Sequence, residues 1–501
     1  DQFRTDYVES IITESEDDDL LERYFEGEDL PSVEVVADLL KAMRHAGFFP
    51  VIPVLTNGVG TEELIGIIAG GFPYPGPDLG ASLRVHALDG TEVPDPGGDP
   101  NGPLLAQVIR TTADPYAGRL SMVRVYSGTL QPDVPVHASG RRHQLTGTTN
   151  PQHPDHDDEE RAGLLSSPAG VELAPRQSAI AGEIVLVAKL ARTETGDTLS
   201  DKDHPMVIEP WALPEPLLPL AIRAASRNDE DKLAGALARL AVEDPTVRVE
   251  RDRNTDQQLL WTMGQAHMDL LLNRLRDRYQ VNVEVEPIAT PLRETFIASA
   301  QGHGRHVKQS GGHGQYAVCD IRVEPGERGS GFTFIDEVVG GAVPRQFIPS
   351  VEKGVRAQMG RGTVSDYPMV DVKVTLYDGK SHPVDSSDMA FQSAGALALK
   401  EAASRQTVAL LEPIDEVRVS VADEHLGAVM TDLGNRRGQV LGTDAGEQEG
   451  TSVVRALVPQ SELARYAIDL RGLARGTGSF TRTFHGYELM PTNLALEHMK
   501  A

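Results

Sequence analysis

The run PLAIRAAS (Pro219–Ser226), KLAGALARLAVED (Lys232–Asp244), VRVERD (Val247–Asp252), QLLWTMG (Gln258–Gly264), AHMDLLLNRLRDRY (Ala266–Tyr279), VNVEVEP (Val281–Pro287) is continuous apart from short connecting residues. Val281, Val283 and Val285 alternate with polar residues, the period of a strand with one buried face. The two Leu- and Ala-rich pieces carry apolar residues at the three-to-four spacing of a helix. The whole reads β-α-β-β-α-β. The same order returns in EVRVSVADE (Glu416–Glu424), HLGAVMTDLGNR (His425–Arg436), GQVLGTD (Gly438–Asp444), SVVRALVPQ (Ser452–Gln460), ELARYAIDLRGLAR (Glu462–Arg475) and SFTRTFHGYELM (Ser479–Met490). Each sheet then has one face for its two helices, so two ferredoxin-like domains flank something different.

Working outward, the intervening stretch of about 289 to 413 holds HVKQSGGHGQY (His306–Tyr316). The chain has a formal charge of -27, yet no Asp or Glu occurs between Thr295 and Cys319. His303, Arg305, His306, Lys308 and His313 crowd this segment, and Gly302, Gly304, Gly311, Gly312 and Gly314 predict a flexible or sharply turned backbone. Further on, DVKVTLYDGKSHPVDSSDMAFQSAGALALKEAA predicts a strand ending near Tyr377, a loop through His382 and Pro383, and a helix starting near Ser387 or Asp388, both good N-caps.

Towards the N-terminus, LLAQVIRTT, GRLSMVRVYSG and AGEIVLVAKL are short β-rich runs between turns, the pattern of a small barrel. Gly90–Pro103 reads as a linker by composition. Before it, Val8, Ile11, Ile12, then Leu20, Leu21, Tyr24, Phe25, then Val36, Leu39, Leu40, Met43 recur at helical spacing. FFPVIPVLT (Phe48–Thr56) reads as a buried strand and GTEELIGIIAGGFP as a closing helix. That is the tail of an α/β domain whose front is missing, and the start at Asp1 without Met predicts a processed chain or a fragment.

At 501 residues the length prior is roughly three to five domains. One cysteine, Cys319, excludes an internal disulfide framework, and no apolar run approaches the roughly 18 to 20 residues of a membrane span. A cytoplasmic protein without membrane contact is expected. The acidic balance argues against general coating of nucleic acid, so RNA contact must come from local patches. His153, Asp155, His156 and Asp157 sit in NPQHPDHDDEERAG (Asn150–Gly163), which reads as an exposed, solvated insertion rather than a metal site, and no metal is assigned anywhere. The acidic run Glu14–Asp29 reads as a solvated helix face, and His267 as a packing or capping residue. Arg436 and Arg437 fit either an RNA contact or the C-terminal end of a helix.

Seven motifs carry a resemblance in order along the chain: YSGTL at Tyr126, TGDTL at Thr195, ALARLAVEDPTVRV at Ala236, HVKQSGGHGQY at His306, HPVDSSDMAF at His382, NRRGQV at Asn435 and YAIDLRGLARGTGSF at Tyr466. With these the chain resembles the elongation factor G family, including its close paralogues. The resemblance implies a multidomain α+β chain: the end of an α/β GTP-binding domain (1–80), a linker (81–103), a β-barrel (104–211), a ferredoxin-like domain (212–288), a decoding-site-probing domain of split β-α-β, ribosomal-protein-like fold (289–413) and a second ferredoxin-like domain (414–501). It implies a monomer whose partner is the ribosome, meeting rRNA, tRNA and mRNA at the decoding site. The probing tip is then Lys308, Gln309, Ser310, Gly311, Gly312, His313, Gly314 and Gln315 with His382, Pro383, Val384, Asp385, Ser386 and Ser387, acting as a wedge without covalent chemistry, so no catalytic residue is assigned.

The departures from the family pattern set limits. Neither G-x-x-x-x-G-K-[ST] nor N-K-x-D occurs, so GTP and Mg²⁺ are expected for an intact protein and not for this chain. The family's guanine-side loop corresponds to VLTNGVG, with Thr56 and Asn57 nearest. Gly-Glu-Leu-His reads Gly264, Gln265, Ala266, His267 here, which suggests a paralogue. Translocation coupled to GTP hydrolysis, ribosome recycling or rescue by a paralogue, and a GTP-independent ribosome-binding module all remain open at this point.

Overall fold

The computed structural model describes residues 2–15, 18–28, 30–44, 48–72, 83–114, 118–147, 152–169, 172–310, 313–446 and 448–498. The chain divides into two compact units, one of residues 1–214 with 234–247 and one of 215–233 with 248–501. Among the described residues no helix is long and apolar enough to cross a membrane.

In the first unit, the helical periodicity near the N-terminus gives helices Gln2–Ser15, Asp18–Phe25, Ser32–Arg44 and Thr61–Gly71. The acidic helix Asp18–Phe25 is laced by Arg23, whose guanidinium donates to Glu28 and Glu34 at 2.8 Å. FFPVIPVLT does not form the predicted strand: Phe49 is 77% and Val51 95% exposed, and the stretch is irregular. Pro50 and Pro53 lack the N–H that a ladder needs. The stretch read as a linker carries strand Glu92–Val93, which pairs with Val85–His86, itself paired to Val207–Ile208.

The β-rich segment forms an eight-stranded antiparallel sheet whose outermost strands are His156–Arg161 and Glu172–Arg176. Val136, near one end of the order, and Leu165, near the other, enter one apolar cluster with Val108, Val123 and Val185. One core shared across the whole order requires the sheet to curl on itself. The Asp- and Glu-rich segment predicted as an exposed insertion belongs to this sheet, since His156–Arg161 pairs residue by residue with Pro135–Gly140. Glu160 anchors it by accepting the N–H groups of Ala191, Arg192 and Thr193 and the Thr193 hydroxyl. Its histidines face carboxylates: His153 Nδ1 lies 2.5 Å from Glu194 and His156 Nε2 3.1 Å from Asp197. The Asp197 carboxylate beside it pushes the His156 imidazole up to about 9 against the opposing effect of burial.

In the second unit, strands Leu218–Ala224, Arg248–Arg251, Gln258–Thr262 and Val283–Glu286 pair in the order second, third, first, fourth. The C-terminal repeat uses strands Val408–Ala422, Gln439–Ala445, Thr451–Pro459 and Ser479–Leu489 in that same order. Trp261 joins the two modules, its ring lying 4.2 Å from the Arg248 guanidinium and 4.6 Å from that of Arg482.

Between them, β1 (Ala300–Ser310), β2 (His313–Pro325), β3 (Phe332–Asp336) and β4 (Val372–Lys380) form a sheet in the order β1-β2-β4-β3. Helices α1 (Ile348–Arg361) and α2 (Asp388–Ala402) cover one face around Phe296, Ile321, Val374 and Phe391. The parallel β3–β4 pair is closed by α1 as a crossover. Gly302 and Gly304 are not turns, as the sequence suggested, but interior positions of β1 in an unbroken antiparallel register with β2. A Cβ on Gly302 would stand 2.0 Å from the Ala398 carbonyl oxygen, and one on Gly304 1.9 Å from that of Ala394. These glycines let α2 rest on the strand backbone.

Candidate nucleic-acid interface

The β1–β2 register closes with Gln309 opposite Gly314 and Ser310 opposite His313. Gly311 and Gly312, and the side chains of Gln309, Ser310 and His313, lie outside the described residues. Beside this hairpin runs the connection from β4 to α2, residues 381–387. It is fastened there by three hydrogen bonds: Tyr316 N–H donates to the Asp385 carbonyl at 2.8 Å, the Ser386 hydroxyl donates to the Tyr316 carbonyl at 2.7 Å, and Gly314 N–H donates to Asp385 Oδ1 at 3.2 Å. Gly314 leaves room for that carboxylate, because a Cβ there would stand 2.9 Å from Asp385 Cγ. Ser387 caps α2 by accepting Ala390 N–H at 3.2 Å.

The predicted site residues take unequal parts. His382 braces its own loop: Nδ1 accepts the N–H groups of Val384 at 3.3 Å and Asp385 at 3.1 Å, and its ring lies 6.0 Å from that of Tyr316. With Nδ1 accepting those N–H groups, the 3.2 Å approach of Asp385 Oδ2 to the same atom is a contact between two acceptors and not a salt bridge. Gln315 spends its carbonyl on His306 Nε2 at 2.8 Å. Lys308, Pro383, Val384 and Ser387 are exposed. Tyr316, outside the predicted tip, joins the two loops through its backbone. Nothing in the sequence pattern marks a backbone group.

Arg436 and Arg437 are turned inward. Arg436 bonds Asp432 at 2.7 Å and Asp469 at 2.8 Å, while Arg437 bonds Glu412 at 2.5 Å and Glu462 at 3.0 Å. His267 Nδ1 accepts Met263 N–H at 3.2 Å, which ties its helix to the strand end just before it. Thr56 and Asn57 sit in a turn where Asn57 Oδ1 accepts Val59 N–H at 3.3 Å. With that carbonyl occupied and no phosphate-cradling sequence present, the residues do not fit GTP with Mg²⁺.

Family models cover most of the chain: "Elongation factor G domain 2" matches residues 103–202, "Elongation Factor G, domain III" 213–287, "Elongation factor G, domain IV" 289–406 and "Elongation factor G C-terminus" 409–497. These are translation-factor domains. The chain belongs to the elongation factor G family. It is 55% identical over 498 residues to an elongation factor G-like protein of Mycobacterium tuberculosis strain CDC 1551, covering 99% of this chain and 69% of that protein. The corresponding protein of strain H37Rv is 54% identical over the same shares. A crystal structure of a Thermus thermophilus protein matches with a TM-score of 0.67 and 31% identity, over 99% of this chain and 69% of the other.

Proposed function

We propose that this chain is the ribosome-engaging part of a cytoplasmic translation factor whose two-loop tip meets the RNA of the decoding site. In the longer protein, GTP hydrolysis on a preceding domain would be coupled to movement of tRNA and mRNA. The observation that carries this reading is the fastening of residues 381–387 onto the β1–β2 hairpin through Tyr316, Asp385 and Ser386. It turns two loops 70 residues apart into one blunt tip with exposed Lys308, Pro383 and Val384 and with its acid, Asp385, satisfied internally. Such a tip suits steric wedging plus hydrogen bonds to phosphate and ribose oxygens.

The test is a tRNA-movement assay with the full-length protein. Gly314→Val, which drives a side chain into Asp385, and the paired change of Gly311 and Gly312 to Val should each lower the rate about tenfold or more. Lys308→Ala should cost only a few-fold, as expected for one phosphate contact. Full activity of Gly314→Val would refute the reading.

A paralogue working in ribosome recycling or rescue is the second reading, favoured by Gln265 in place of the family's Glu. Gln265 Nε2 donates to Asp269 at 3.0 Å, so the position is used within its own helix. The "Elongation factor G-like" name of the mycobacterial relatives agrees with it. Subunit splitting without tRNA movement would select this alternative.

A further inference from the structure

Below the tip, β1 and α2 enclose an open groove of about 450 Å³ lined by His303, Arg305, Leu397, Lys400 and Glu401. It exists because α2 sits directly on Gly302 and Gly304, which leaves residues 303 and 305 beside the helix. Both nearby acids are engaged. Glu401 accepts the His303 backbone N–H at 3.2 Å, and Asp320 lies 2.6 Å from His303 Nδ1. Arg305 and Lys400 have no carboxylate within ion-pair distance among the described residues, and Lys308, on the same strand towards the tip, has none either. Leu397 adds an apolar surface, 42% exposed.

We propose that this groove seats RNA sugar–phosphate backbone continuing from the tip, with Arg305 and Lys400 on phosphate oxygens and Leu397 against the sugar. Charge complementarity chooses RNA. In a chain of net charge -27 the acid-free segment 295–319 supplies Arg305, which with Lys400 sets two cations against the single lining carboxylate of Glu401, itself held by the His303 N–H, so the groove favours a polyanion. An added peptide strand is the weaker fit, because β1 is an edge strand whose His303 N–H is already given to Glu401 and so cannot join a new ladder. The inference rests on the proposed RNA contact of the tip and extends it to a second surface.

The experiment separates the two. Cys319 is buried and its thiol is pushed up to about 12 by burial, so it stays unlabelled while an introduced surface cysteine takes an iron chelate that cuts nearby RNA. The 501-residue chain is prepared as Lys308→Cys and, separately, as Leu397→Cys, and incubated with ribosomes. Cuts from both positions, on RNA strands that lie near one another, are expected. Cuts from Lys308→Cys alone overturn the groove and leave the tip reading standing; cuts from neither, without co-sedimentation, defeat both. A ribosomal protein cross-linked at Leu397→Cys in place of RNA cleavage also overturns the groove. As an independent readout, Arg305→Glu with Lys400→Glu should leave melting unchanged and weaken ribosome association about tenfold or more at low salt. It should also make the log–log salt slope shallower by about two units, near 0.9 per phosphate contact. An unchanged slope contradicts the proposal.

Discussion

The arginines of the C-terminal module and the cations of the tip module present similar motifs and opposite fates. NRRGQV and HGRHVK each place basic residues in a glycine-bearing segment. Arg436 and Arg437 spend their guanidiniums on Asp432, Asp469, Glu412 and Glu462, and Arg437 holds a left-handed backbone, φ 60°, in doing so. Arg305, Lys308 and Lys400 meet no carboxylate among the described residues. A cation advertises charge to a partner only where the fold has not already neutralised it, so the acids that folding brings near it matter more than the motif that contains it.

Arg437→Ala leaves Glu412, 3% exposed, as an unpaired buried carboxylate and should destabilise the C-terminal module by about 3 kcal/mol in urea unfolding. Arg437→Lys, which loses the bidentate fork, should recover part of that loss. A loss below about 0.5 kcal/mol for the alanine variant would place these arginines with the free ones. Gly304→Val, which collides with the Ala394 carbonyl, should cost about 2 kcal/mol. That result would show that the glycines of the cationic strand serve helix packing.

His156 sharpens the contrast in the other unit, as a cation made by its partner. Its folded value is raised to about 9 from an ordinary 6.5. Its contribution is therefore fully present below pH 6.5 and is lost as pH rises through 9. Barrel stability should fall over that window, and His156→Gln should flatten the fall when melting is followed against pH. Smallest of all, Arg305→Ala and Lys400→Ala should each stay within about 0.5 kcal/mol of the parent in thermal melting. A larger loss would mean that the fold uses them after all.

Both β-α-β-β-α-β modules were legible because strand alternation at Val281–Val285 and Val417–Val421 and the helical spacing between them leave little choice of fold. The N-cap at Ser387 was legible for a chemical reason, its hydroxyl meeting Ala390 N–H. FFPVIPVLT has the apolar content of a strand, but Pro50 and Pro53 remove the N–H groups a ladder needs. The segment at 150–163 reads as exposed from its composition, but Glu160 is satisfied by backbone N–H groups from 191–193, a long-range contact that local composition does not reveal. At the candidate site, the glycine-rich hairpin could be read, but the fastening through Tyr316 and the bracing role of His382 could not, since both depend on backbone groups brought together by the sheet.

The most direct test of the central claim is chemical footprinting of small-subunit RNA on ribosomes carrying this chain, compared with its Gly314→Val variant. Protection of aminoacyl-site nucleotides by the parent, lost or displaced in Gly314→Val while melting shows the module still folded, is the predicted result. Protection that is the same for both chains, or confined to RNA away from the decoding site, would mean that the two loops form only a turn and that the ribosome is met elsewhere.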